Sequence, residues 1–420
     1  MFRKLSALDE ARQMILKHFK PKPVGVEEVP LLEAHNRVLT QDMIATLDIP
    51  PFNRSTVDGY AVKAEDTFGA EENRPAMLKV CGTASIGKLP RVRVASGKVA
   101  EIVTGAPMPE GADAVVMVED TERKSNCVYV FAAVAKDENT MKAGSDIRKG
   151  ETVLKAGQLL GSREIGVLAA VGVARVEVYA FPRVAVLSTG AEVTEPSKRL
   201  LPGRVYDINA YSLGAAIVES GGKPILMGVF PDDRSRLKKA LVEALNMADV
   251  IVTSGGVSVG PKDIMPQIVG SLGMPGVIVS GIAIKPGKPA TVSIVDEKPV
   301  FSLPGHPTSA LLVFHLLARP IISIMAGKKA ERSLEMKAIA GMRMFPARGR
   351  RTFVMVKLRR DKSDRLVADA VESGQSGAIT TLAKADGFVE VAENQQFVDA
   401  DEDVVVQLFR SYENGRFLAF

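Results

Sequence analysis

Apolar residues recur at helical spacing from Leu5 to Phe19, which predicts a helix opening at Ser6-x-x-Asp9 and ended by Pro21 and Pro23. Leu31 to Leu39 predicts a second short helix, and Pro50 to Ala61, with Asp58-Gly59 at a turn, a rigid loop. From Val62 to about Thr140 the pattern changes to short β runs broken by Gly and Pro: Leu78 to Cys81, Val99 to Thr104, Ala114 to Glu119 and Cys127 to Phe131. That pattern predicts a small β domain. Lys142 to Val178 is turn-rich, then helical near Arg163 to Val171, then extended.

At Arg183 the pattern changes again. Strands are predicted over Arg183–Leu187, Pro224–Val229, Val250–Thr253, Gly276–Ile284, Thr291–Val295 and Val300–Leu303. Helices are predicted over Ile208–Glu219, Arg234–Met247, Ile264–Leu272 and Pro307–Met325. Strands alternating with amphipathic helices imply a doubly wound, mostly parallel α/β sheet. From about Lys328 the chain returns to β runs at Glu335–Ala340, Thr352–Leu358, Phe388–Val391 and Val404–Leu408, a second small β domain. The division expected is 1–50 with 141–180, an inserted β domain at 51–140, the α/β domain at 181–328 and a C-terminal β domain at 329–420.

Composition narrows the function. With 420 residues, 46% apolar and 25% charged, the chain reads as a soluble globular protein of two to four domains. The cationic excess is 54 − 49 = 5, enough to help attract an anionic small molecule but too dispersed to suggest nucleic acid. The absence of Trp gives no support to base stacking either. Cys81 and Cys127 have neither metal-ligand spacing nor a disulfide framework, which suits a reducing, cytoplasmic setting. Met1 to Glu10 lacks the apolar core of a signal peptide. Ser309 to Met325 is strongly apolar but contains His315, Arg319 and Pro320, so it reads as a core helix.

The chemistry concentrates in loops after predicted strands. Thr253 to Asp263 holds Ser254, Gly255, Gly256, Ser258 and Gly260, small residues that let backbone N–H groups converge on an anion. Ser188-Thr189-Gly190-Ala191-Glu192 and Leu303-Pro304-Gly305-His306-Pro307 are built the same way. Any one such loop is more often a structural turn. Carboxyl ends of parallel strands share one edge, however, so three loops there point to a ligand. Lys285-Pro286-Gly287-Lys288-Pro289 puts two cations on a stiff corner after another strand, a candidate clamp for phosphate or an oxyanion. Glu192, Asp232, Asp233 and Asp263 supply carboxylates to the same edge, where they could hold Mg²⁺ or orient a nucleophile. Asp233 is placed to cap the helix at Arg234, which leaves Asp232 the freer acid. His306 reads as a loop histidine, and His315 as a core or interface residue.

These segments, taken in order, resemble the MoeA family of molybdopterin molybdenumtransferases, whose relatives include the E domains of gephyrin-type proteins. Pro50 to Ala61 is similar to the family's Pro-Pro-Phe-x-x-Ser-x-x-Asp-Gly-Tyr-Ala loop. Thr104 to Asp113, Gly144 to Arg148, the three Gly-rich loops and Lys285 to Pro289 match further motifs. So do Ser373 to Gly377 and Ala385 to Gly387, and the match runs nearly the length of the chain. The resemblance implies a central MogA/MoaB-like domain, a C-terminal small β-barrel and an elongated homodimer. It implies an enzyme that inserts molybdate or tungstate into adenylylated molybdopterin and releases AMP with Mg²⁺ assistance. By position it makes Asp58, Asp146, Glu192, Asp232, Asp263, Lys285 and Lys288 catalytic candidates, with Asp263 and Glu192 toward the metal. Thr104, Ser309, Arg350 and Ser376 match positions that line the substrate or oxyanion site. Pro304, Gly305 and the small residues of the Ser188 and Ser254 loops complete the binding set. Two positions depart from the family pattern: Ser145 stands where many members have Glu, and His306 where they have Asn. A non-catalytic molybdopterin-binding scaffold and a pterin adenylyltransferase are the competing readings. The extra terminal domains argue against the second.

Overall fold

The computed structural model describes residues 5–256, 264–329, 334–371 and 379–409. Val257 to Asp263 and Glu372 to Ala378 lie outside the described residues, and with them Ser258, Gly260, Asp263 and Ser376. The chain forms two compact units, one of 28–35 and 39–177, the other of the remainder.

In the first unit, six strands form one sheet in the order Ala114–Met117, Gly59–Val62, Lys98–Ile102, Ala76–Ala84, Cys127–Val130 and Thr121–Lys124. Alternating Val and Ala side chains fill its core, among them Val62, Val99, Val116, Val128 and Val130. Gly59–Val62, expected to end a loop, is an interior strand paired on both edges. A Cβ at Gly59 would collide with the carbonyl of Val116, so only glycine admits this pairing. The helix expected over 31–39 is a 3₁₀ turn, Leu31–Ala34. Asn36 just beyond it has φ 61°, a left-handed conformation that stops a helix.

The second unit is built on a six-stranded sheet. Its order is Lys223–Phe230, Arg183–Thr189, Val250–Ser254, Lys298–Leu303, Thr291–Val295 and Pro275–Ser280. The first four strands are parallel, and the last two add in antiparallel pairings. Both faces are covered, which is why the strands read as continuous apolar runs. Val184, Val186, Val250, Val252 and Phe301 pack with helices Asn209–Glu219 and Pro307–Val313. Ala185, Leu187, Ile251 and Val300 face the opposite way, toward helices Arg234–Met247 and Ile264–Val269.

The N-terminal helix runs Leu8–His18 and buries Leu8, Ala11 and Ile15 in the first of these cores. Ser6 does not cap it. Its N–H is spent on the Gly281 carbonyl, and the Ala7 N–H is satisfied by Glu10 Oε2. The expected helix over 307–325 is present and long and apolar enough to cross a membrane, but 72% of it is buried in the protein. Its Phe314–Ala318 turn is π-helical. Pro320 explains the change, because it has no N–H to return to Leu316.

Five strands of the C-terminal region close on themselves: Arg351–Arg360, Leu366–Ala370, Glu335–Ala340, Asp403–Leu408 and Gly387–Val391, the last pairing back to the first. Leu366–Ala370 and helix Ile379–Lys384 escaped the hydrophobic pattern. The single strand expected over 276–284 is two strands. Pro275–Ser280 stays in the central sheet, whereas Ile284–Lys285 pairs with Arg351 and Thr352 of the barrel.

Candidate functional site

Sheet register brings the three Gly-rich loops together. Ser188 is level with Ser254, and Ser254 with Leu303, so all three strands end on one line. The loops then touch. Gly255 N–H donates to the Leu303 carbonyl at 3.1 Å. Gly255 sits at φ +92°, and a Cβ there would overlap the Thr189 carbonyl and lie 2.8 Å from Thr189 Oγ1. Gly256, at φ +65°, would press on Met265 at 2.8 Å. A Cβ on Gly305 would lie 3.8 Å from the Gly255 Cα. Two consecutive left-handed glycines against a neighbouring loop leave the backbone as the exposed functional surface.

Alternation along the strands sends Ser188 and Ser254 to the side of helix Asn209–Glu219, and Thr189 and Thr253 to the other. All four are buried. Among the described residues, Ser188 Oγ, Thr189 Oγ1 and Thr253 Oγ1 have no hydrogen-bond partner. Buried hydroxyls are normally bonded, and unpaired ones clustered at a strand edge mark a polar site prepared for something else.

Two residues that the sequence reading passed over organise this edge. Asn209, which opens its helix, donates from Nδ2 to Ser254 Oγ and to the Gly305 carbonyl, both at 2.7 Å. Asp207 accepts from the Ala210 N–H at 3.0 Å and fixes the helix start. Asp-x-Asn ahead of an amphipathic helix is a capping signal, and it was the available clue.

Glu192 is exposed beside Gly190, with Oε2 2.9 Å from where a Gly190 Cβ would stand. Asp232 is exposed two residues beyond strand Lys223–Phe230, on the same edge. Asp233 caps the next helix, accepting from the Arg236 N–H at 2.8 Å. Lys285 is exposed and belongs to the barrel sheet rather than to the central one. That pairing places it level with Thr352, whose hydroxyl donates to the Arg350 carbonyl at 3.2 Å, so Arg350 lies two residues from the strand position that faces Lys285. Lys288 follows Gly287, where φ is +111° and a Cβ would meet Val313 at 2.5 Å. Pro304 and Ser309 are buried at the entry to helix Pro307–Val313, and His306 is exposed there.

In the other unit, Asp58 accepts from Thr104 N–H at 2.6 Å and from Thr104 Oγ1 at 2.8 Å. The Thr104 backbone donor, then its hydroxyl, hold the Asp58 carboxyl below the usual carboxylate range. Gly105 N–H donates to Ser55 O, Thr56 N–H to Asn139 O, and Ala143 N–H to Asn53 Oδ1. Asp146 N–H donates to Ile49 O at 3.0 Å. The Pro50, Thr104 and Gly144 motifs are thereby tied into one exposed corner.

His315 is half-buried, edge-on to Phe388 and Phe409 at 5.7 and 5.8 Å. Burial, and then Arg319, push its pKa down to about 4, so it is a neutral core residue at ordinary pH. Cys81 and Cys127 are half-buried free thiols on strands. Among the described residues no three His, Cys, Asp or Glu side chains gather as a metal cage.

Three family models cover the chain in sequence. "MoeA N-terminal region (domain I and II)" matches 6–172, "Probable molybdopterin binding domain" 185–323 and "MoeA C-terminal region (domain IV)" 337–409. The molybdopterin molybdenumtransferase of Haemophilus influenzae is 32% identical, over 96% of this chain and 98% of that one. The enzyme of the same name from Bacillus subtilis is 31% identical, over 97% and 95%. A crystal structure of a molybdopterin biosynthesis MoeA protein from Pyrococcus horikoshii superimposes with a TM-score of 0.81 at 40% identity, covering 97% of this chain and all of the other. Family models, relatives and fold agree: this chain belongs to the MoeA family, the molybdopterin molybdenumtransferases of molybdenum cofactor biosynthesis.

Proposed function

We propose that the carboxyl edge of the central sheet binds adenylylated molybdopterin and that the chain inserts molybdate or tungstate into its dithiolene as AMP leaves. The observation that carries this reading is the contact of three loops at Gly255, where glycine alone fits and backbone donors meet unpaired buried hydroxyls. Such an edge suits a phosphorylated anion. Lys285 and Lys288, with Arg350 near the same strand pairing, supply the positive charge that a tetrahedral dianion needs.

Glu192 is an exposed carboxylate that joins no cage among the described residues, which fits a Mg²⁺ shared with substrate phosphates. Glu192 and Asp263 would hold that ion, whose contribution is to offset charge on the pyrophosphate. Asp58 stays ionised and exposed in its corner, available as an acceptor or base toward substrate, with Asp146 in the same corner as a second acid. Thr104 orients Asp58, while Ser309 and Ser376 complete the lining by position. We read the two units as the family's four domains, at the boundaries given above, and the working form as a cytoplasmic homodimer, which sedimentation of the full chain checks.

The decisive experiment is AMP release from adenylylated molybdopterin on addition of molybdate with Mg²⁺. Release that requires both is expected. Tight pterin binding without AMP release would instead make the chain a scaffold. Lys288→Ala should raise the molybdate concentration for half-maximal turnover by about 10- to 100-fold, the loss of one charge-assisted contact of roughly 1.5–3 kcal/mol. Asp263→Asn should keep pterin binding and lose the Mg²⁺ dependence. Wild-type behaviour of either variant removes that residue from the assignment.

A further inference from the structure

Asn209 joins the Ser254 and Gly305 loops through a single side chain. It is only 7% exposed, and its amide nitrogen spends both hydrogens: one on Ser254 Oγ, one on the Gly305 carbonyl, each at 2.7 Å. The amide orientation is forced. The Gly305 carbonyl can only accept, so rotating the amide would put two oxygens face to face. The backbone beneath it is equally fixed. Asp207 Oδ1 accepts from Ala210 N–H at 3.0 Å, and Ser212 Oγ donates to Asn209 O at 3.3 Å.

The remaining atom, Asn209 Oδ1, is buried with no hydrogen-bond partner among the described residues. An unpaired buried carbonyl costs stability, so folding alone does not favour asparagine here. What asparagine supplies is a double donor at one fixed distance from two loops. A second effect falls on Ser254. Its hydroxyl oxygen accepts from Asn209, which turns its own hydrogen away from the clamp and makes it a donor elsewhere.

We propose that Asn209 is a positioning residue. It sets the spacing between the Ser254–Gly256 and Leu303–Gly305 loops and fixes Ser254 as a hydrogen-bond donor toward the phosphorylated substrate. The proposal rests on the reading that this edge binds the pterin's phosphates.

The test is calorimetric titration of the full chain with adenylylated molybdopterin, for wild type, Asn209→Ala, Ser254→Ala and the double variant. Asn209→Ala should weaken binding about tenfold or more. Because both residues act through one contact, the double variant should stay within about threefold of the weaker single variant. A purely structural asparagine would give losses that multiply. Asn209→Ser leaves the helix start capped by Asp207 and so keeps the fold, but one hydroxyl cannot donate to two acceptors, so it should lose affinity as the alanine does. Unchanged affinity in a folded Asn209 variant, or multiplying losses, overturns the clamp. If wild type itself fails to bind, the pterin reading falls and the clamp with it.

Discussion

At the carboxyl edge of the central sheet the polar groups that meet between the loops are buried, and sheet register holds them in place. At the Asp58 corner of the 28–177 unit they are exposed, and hydrogen bonds between loops hold them. The edge depends on glycines that no other residue can replace without moving a neighbouring loop. The corner depends on a carboxylate that water could replace as a partner for Thr104. Geometry at the edge is therefore inseparable from folding. At the corner, chemistry can be altered while the fold stays intact.

Gly255→Val tests the first half of this contrast and carries the largest expected effect. The branched side chain would meet the Thr189 carbonyl from a φ of +92°. A loss on the order of 3 kcal/mol of stability is expected, with pterin affinity down by about 100-fold or more. Thermal melts and titration measure both. A variant that melts like wild type would show that the edge is not register-locked.

The next effect separates the two regions by pH. His315 packs edge-on against Phe388 and Phe409 in the second unit, and its folded pKa of about 4 lies below the ordinary 6.5. The unfolded chain takes up the proton first, so stability is full above pH 6.5 and falls between 6.5 and 4. The expected loss is on the order of 3 kcal/mol. Asp58 titrates the other side of the comparison. Its carboxyl is lowered by Thr104, so its stabilising contacts persist as pH falls and are lost only below the usual carboxylate range. Denaturant melts from pH 7 to 4 should show the decline in wild type and flatten it in His315→Phe. An unchanged slope in that variant would detach His315 from the acid response.

The smallest stability effect belongs to the corner. Asp58→Ala removes the acceptor from Thr104 N–H and Oγ1, both exposed. Thermal stability should stay close to that of wild type, while AMP release falls at least about tenfold. Destabilisation comparable to that of Gly255→Val would erase the distinction between the regions.

Much of the fold was legible because burial on both faces of a sheet leaves a plain signal. The strands of the α/β domain and helix Arg234–Met247 stood where apolar runs and periodicity placed them. Asp233 was readable as a cap because its partner is only three residues away. Ile284–Lys285 was not, since nothing local distinguishes a strand end from two residues that pair with a different sheet. Gly59 failed for a similar reason: Asp-Gly reads as a turn until Val116 is known to lie against it. The π-turn at Phe314 needed Pro320 to be weighed against an apolar pattern that continues straight through it.

The sequence by itself determined which loops are candidates to carry chemistry. Gly, Ser, Lys and Asp at strand ends have local consequences, and the order of motifs along the chain points to one family. Tertiary structure alone decided which of those groups meet. Ser188, Ser254 and Leu303 align because parallel strands share a register, and Lys285 comes level with Thr352 because its strand leaves one sheet for another. Asn209 acquires a role because two loops from distant parts of the chain end within reach of its amide. Contacts of that kind depend on distances between segments far apart in the chain, and no local pattern of residues encodes them.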